Sequence, residues 1–155
     1  MMSTSHYTRV VEAFCTCIGR SESFPTLLKS GEIIVDGVAF SISKATVGET
    51  ESAVIICDFG DIPDHAQSIV QREMLESNAY LFHGPGAPCF AMSPETGRAI
   101  FMLHMVLEEA TGESLRDCLS YFAAVAREWQ SRDWQTEAAD RLRMRVMLNE
   151  MVRGV

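Results

Sequence analysis

Two cysteines two positions apart, four histidines, a Gly-Pro-Gly and a pair of adjacent glutamates are the residues of this 155-residue chain whose types could do chemistry. Cys15-Thr16-Cys17 could hold a metal. On a helix, however, residues two apart point to different sides, and the sequence offers no second Cys/His pair at zinc-site spacing. His6, His65, His83 and His104 are scattered, and His104 falls in the middle of an apolar run. A catalytic histidine needs a nucleophile on one side and an orienting group on the other. Gly84-Pro85-Gly86 lacks the Lys-Ser/Thr ending of a phosphate loop and follows a helical pattern rather than a strand. Glu108-Glu109 precedes another helical pattern, where carboxylates complement the helix dipole. None of these assembles into an active site, and the expectation is a protein without catalysis, cofactor or metal. The competing class is a compact enzyme or small-ligand protein with a concave site of perturbed titratable groups. His104, Cys89 and Glu108 are its only neighbouring candidates.

The background is that of a single globular domain. Hydrophobic residues make up 47% and charged residues 22%, which is too apolar for disorder. The net charge of −8 repels duplex nucleic acid and anionic membrane, so neither is an expected partner. The charge is uneven: residues 1–126 carry −9 and residues 127–155 carry +1. Five cysteines, an odd number set mostly in apolar runs, fit free thiols in a reducing compartment. The first twenty residues lack an apolar core behind a basic start, so no signal peptide is expected. No apolar run approaches the ~20 residues of a membrane span.

The elements that must position these residues follow from periodicity. Val10 or Val11, Phe14 and Ile18 predict a helix over 5–20, with Gly19 near its end. "SESFPTLLKSGE" reads as a connector. "IIVDGVAFSIS" reads as a hairpin turning at Asp36-Gly37, where glycine accepts positive φ. "KATVGETES" reads as a polar loop and "AVIICDF" as a third strand. Asp64 is the predicted cap of a helix over 65–82, which "HGPGAP" then breaks. A second hairpin turns at Pro94-Glu95-Thr96-Gly97. Thr111 caps a further helix with Leu115, Cys118, Leu119, Phe122, Val125, Ala126 and Trp129 on one stripe. A last helix spans 136–152, with Leu142, Val146 and Met147 or Leu148 expected to face inward. The order is α-β-β-β-α-β-β-α plus a C-terminal helix. Short hairpins and segregated helices predict an α+β fold with a twisted antiparallel sheet. The predicted division is a domain at 5–132 and a helical extension at 133–155.

One segment departs from simple alternation. In "CFAMSPETGRAIFMLHMVL" (89–107), Ile100, Met102 and Val106 lie on one parity and Ala99, Phe101, Leu103, Met105 and Leu107 on the other. A strand with one wet face should alternate apolar with polar. Both faces are therefore expected to be covered, and three helices do not readily cover both faces of five strands. The surplus predicts a dimer interface, a partner groove, or both.

At these residues the sequence resembles the class I type III secretion chaperones, the family that includes the Tir chaperone. The resemblance is carried by "REMLESNAYL" (72–81), the Gly-rich break, "CFAMSPETGRAIFMLHMVL" and "LRDCLSYFAAVAREW" (115–129). Met74-Leu75, Asn78, Ala79 and Leu81 match the family's second helix, and Pro94 to Arg98 match its turn. The likeness spans about residues 5–130, and the segment after 132 exceeds the family's usual length. It implies a bacterial cytoplasmic homodimer that holds the N-terminal segment of a secreted effector in extended form without nucleotide, with the secretion ATPase as a further partner. A small adaptor of the same fold with no secretion role is the alternative. The expected effector contacts are Phe14, Ile18, Ile34, Val38, Phe40 and Ile42, because a hairpin at a sheet edge offers unpaired backbone groups to an incoming strand. The expected dimer contacts are Leu75, Ala79, Phe82, Phe90, Met92, Phe101 and Leu103.

Overall fold

The computed structural model describes residues 4–154, and it has the predicted α+β architecture. Helix α1 (His6–Cys17) starts where the Ser5 hydroxyl accepts from the Thr8 N–H at 3.2 Å, and it ends before left-handed Gly19. Strands β1 (Glu32–Val35) and β2 (Val38–Val47) turn at Asp36-Gly37, both with positive φ, as a two-residue hairpin with matching twist requires. Strand β3 (Thr50–Gly60), helix α3 (Gln67–Leu81), and strands β4 (Cys89–Met92) and β5 (Ala99–Val106) follow. Helices α4 (Gly112–Ser131) and α5 (Trp134–Arg153) complete the chain. The sheet is antiparallel in the order β1-β2-β3-β5-β4, so β1 and β4 are its edges.

Several sequence expectations are corrected. The connector contains a short helix α2 (Phe24–Ser30), with Pro25 in its first turn and left-handed Gly31 behind its last. That Pro-first, Gly-last pairing is a helix signal, and Leu27 is the one residue the helix buries. The polar "KATVGETES" is not a loop. β2 and β3 stay paired to Val47↔Thr50, because a ladder needs backbone partners and not apolar side chains. Asp64 makes no cap; it lies in a single 3-10 turn ahead of α3. Thr111 does cap α4, through a reciprocal pair with Ser114: Ser114 N–H donates to Thr111 Oγ1 at 3.0 Å, and Thr111 N–H to Ser114 Oγ at 2.8 Å.

One sheet face is covered by α1 and α4. Val38, Phe40, Ile42, Ile55, Cys57 and Phe101 bury themselves there against Phe14, Leu115 and Leu119. Phe59 is a hub, with ring centroids 5.2 Å from Phe90, 5.8 Å from Phe101 and 5.7 Å from Trp129. The opposite face carries Ile34, Ala39, Ser41, Val54, Ile56, Ile100, Met102 and His104, all exposed or half-buried. The parities of β5 are thereby resolved: Ala99, Phe101, Leu103 and Met105 face the helices, and Ile100, Met102 and His104 do not.

The C-terminal helix departs furthest from expectation. Leu142, Val146 and one of Met147 and Leu148 are the residues expected inward, and all four are exposed. α5 buries only Trp134. Its first turns are held by the Arg132 guanidinium 4.0 Å over the Trp134 ring, by Arg132–Glu137 at 2.6 Å, and by Arg141–Glu73 at 2.6 Å. Past Arg141 the helix has no core to enter, because α1 and α4 already occupy the covered sheet face.

Candidate functional site

The residues that could do chemistry stay apart. Cys15 is buried and Cys17 exposed. His104 is exposed on the open sheet face, opposite Val54. Glu108 lines a shallow hollow with His6, Arg9 and Thr111, away from Cys89 and His104. Among the described residues no group of three or more His, Cys, Asp or Glu side chains is placed to hold a metal ion. Burial, then the Asp58 charge and Cys118, push the Cys57 thiol up to about 12, and burial raises Cys15 and Cys118 as well. A thiol reagent near pH 8 is therefore expected to label Cys17 quickly, and Cys15 and Cys57 only after denaturation. Peptide mapping of the labelled protein checks this; Cys57 in the fast phase would show the α4–sheet contact to open readily.

A concavity of about 750 Å³ lies at the β1 end of the open sheet face. Its apolar wall comes from Ile34, Ala39, Ile56 and Ile100, with Leu27, Ile33 and Phe40 below. Arg20, Glu22, Ser23 and Thr26, from the segment between α1 and β1, form the other wall. Acidic groups dominate the rim: Glu22, Glu32 and Asp58. Asp58 is held by Arg98, whose Nε donates to Oδ1 at 3.0 Å and Nη2 to Oδ2 at 2.8 Å. Arg98 also reaches Asp61 at 3.0 Å. β1 borders this groove and is a sheet edge. Its Ile34 side chain is 60% exposed, and its Ile34 carbonyl accepts from Arg20 Nη1 at 2.9 Å.

The other edge is blocked at Phe90. Asn78 on α3 acts as a substitute strand for β4: its Nδ2 donates to the Phe90 carbonyl at 3.0 Å, and the Phe90 N–H donates to its Oδ1 at 2.7 Å. An edge residue whose N–H and C=O are both engaged cannot template an incoming strand. α3 meanwhile turns apolar residues outward, with Leu75 70% exposed and Phe82 74% exposed beyond its end.

Of the expected effector contacts, Ile34 is exposed and Ile18 half-buried at the end of α1. Phe14, Val38, Phe40 and Ile42 fill the core instead. The reason is parity: Val38, Phe40 and Ile42 share the face that α1 and α4 cover. Of the expected dimer contacts, Leu75, Ala79, Phe82 and Met92 are exposed, and Phe90 and Leu103 half-buried. Phe101 is buried, its ring 5.1 Å from Phe122. The sequence reading missed the groove wall of Ala39, Ile56 and Ile100. The signal was present, since each lies one position from a core residue of the same strand.

A family model described as the Tir chaperone protein (CesT) family matches residues 39–130. The search of curated proteins gives no match. Among solved structures, a chain of one described as the structure of the HopA1-SchA chaperone-effector complex superposes with a TM-score of 0.58 at 15% identity. The match covers 82% of this chain and 94% of that one. The likeness to that chain is one of fold. α5 lies beyond the residues the family model matches.

Proposed function

Because the chain belongs to the Tir chaperone protein (CesT) family, we propose that it is a cytoplasmic bacterial homodimer that binds the N-terminal segment of a secreted effector in extended form and keeps it soluble for type III secretion. The carrying observation is the asymmetry of the sheet edges. β4 is blocked at Phe90 by Asn78, while β1 borders an apolar, acid-rimmed groove with Ile34 outward. An extended peptide added at β1 gains main-chain hydrogen bonds from the edge and specificity from side-chain pockets. Ile34, Ala39, Ile56 and Ile100 supply such a pocket, and Glu22 and Glu32 favour a basic residue beside the apolar anchor. Arg20 must release the Ile34 carbonyl as the strand enters, an exchange of one donor for another that needs no nucleotide. The outward Leu75, Ala79 and Phe82 of α3, with Met92 at the end of β4, form the dimer contact, the same patch serving both chains.

Two measurements test this. Light scattering at micromolar concentration should give twice the chain mass of 17.2 kDa. A secreted protein captured from the native bacterium should protect the Glu32–Val35 amides from hydrogen exchange. Protection confined to other elements would move the site, and capture of folded, non-secreted proteins alone would favour an adaptor.

A further inference from the structure

We infer that α5 is a dimer clasp: its Leu142–Val146 stripe continues the outward face of α3 and packs on a second copy of this chain. The inference rests on the homodimer reading above and adds a surface that the family match does not reach. α5 runs 20 residues, about 30 Å at 1.5 Å per residue. Its N-terminal half is tied to α3 by the Glu73–Arg141 pair at 2.6 Å, and Arg132, just ahead of α5, reaches the same Glu73 at 3.3 Å. Its apolar residues beyond Arg141 nevertheless stand in water, and Leu142 and Val146 recur at i, i+4 on one side of it.

Three observations select a second copy as the occupant. The first is continuity. A shallow groove of about 370 Å³ joins the two helices, lined by Ile69, Arg72 and Glu76 from α3 and by Ala138, Leu142 and Arg145 from α5. Arg72 and Glu76 lie on one side of the Leu75–Ala79 face on the wheel of α3, with Arg72 next to Ala79, so Leu142 emerges along the border of that face. The second is area. A stable interface takes about 800 Å² and roughly 20–30 residues from each partner. Leu75, Ala79, Phe82 and Met92 are too few to supply that, and the adjoining α5 stripe enlarges the same surface. The third is charge. α5 carries Arg141, Arg143, Arg145 and Arg153 against Glu137, Asp140 and Glu150, a net of +1, whereas residues 1–133 carry −9. A second copy therefore presents an acidic body to a basic helix, and attraction between unlike fields favours that seating over α5 meeting α5.

α5 carries its own control. Met144 and Leu148 are also exposed, but they lie on the side of the helix away from Leu142. The test measures the dimer dissociation constant of the full chain by sedimentation equilibrium, with far-UV circular dichroism to confirm the helices. Leu142→Glu with Val146→Glu is expected to weaken the dimer about tenfold or more. Leu142→Ser with Val146→Ser, which removes apolar area without adding charge, should act in the same direction. Met144→Glu with Leu148→Glu should leave the constant within about threefold. An unchanged constant for both Leu142–Val146 pairs overturns the clasp and leaves the α3 dimer standing, with α5 then free for an effector or another partner. Equal weakening by the Met144–Leu148 pair overturns the assignment of the face. A parent chain that is monomeric at micromolar concentration removes the homodimer reading and the clasp together.

Discussion

Ile34→Asp is expected to melt close to the parent protein and to lose effector capture, while Phe40→Asp unfolds the domain. The two residues belong to one hairpin, and their partners in it differ only in face: Ile34 pairs with Ala39, and Ile33 with Phe40. Ile34 is 60% exposed and lines the groove wall. A charge there remains hydrated, so its effect on stability stays within about 0.5 kcal/mol, as for other surface changes. In a complex, the same carboxylate would enter an apolar pocket already rimmed by Glu22, Glu32 and Asp58. Losing a central anchor and adding like charge is worth about 2 kcal/mol or more of affinity, roughly thirtyfold. Phe40 is 2% exposed, beneath α4. A carboxylate there is buried without a partner and costs several kcal/mol, comparable with the whole stability of a small domain. Thermal melting and effector titration on both variants check the pair. Full capture by Ile34→Asp would remove the β1 groove from the binding surface.

Gly112→Ala should destabilise the protein by about 2–3 kcal/mol, although helix propensity favours alanine over glycine by about 1 kcal/mol. Gly112 opens α4 directly after the Thr111 cap, where α4 meets α1. A Cβ built there lies 2.5 Å from the Ala13 carbonyl carbon and 2.6 Å from the Phe14 N. These are backbone atoms within a helix, so they cannot turn aside as a flexible side chain would. α1 must retreat, and that loosens Val11 and Phe14 from Leu115 and Leu119 in the core. Urea denaturation read at its midpoint, with the slope unchanged, measures the loss. A raised midpoint would mean that α1 slides without cost.

The sequence by itself determined what depends on neighbours along the chain. Asp36-Gly37 made its turn, Thr111 its cap, and Pro94–Gly97 the second hairpin, because each is a local hydrogen-bonding or φ preference. The stripe of Leu115, Leu119, Ala126 and Trp129 placed the buried face of α4 for the same kind of reason: one period suffices to define one side. The motif residues of α3 and of the 94–98 turn carried the family. What periodicity leaves open is which side finds a neighbour. Two apolar parities on β5 and apolar residues around α5 look equally buriable in one dimension. Only the seating of α1 and α4 on one sheet face made Phe40 core and Ile34 surface, and left Leu142 and Val146 outside. Asn78 stands out in the sequence only as a motif residue, and its pairing with Phe90 exists only once the fold brings β4 beside it. Gly112 likewise reads as a weak helix former until α1 crosses within van der Waals contact. Both are contacts between elements distant in sequence, and no local preference encodes them.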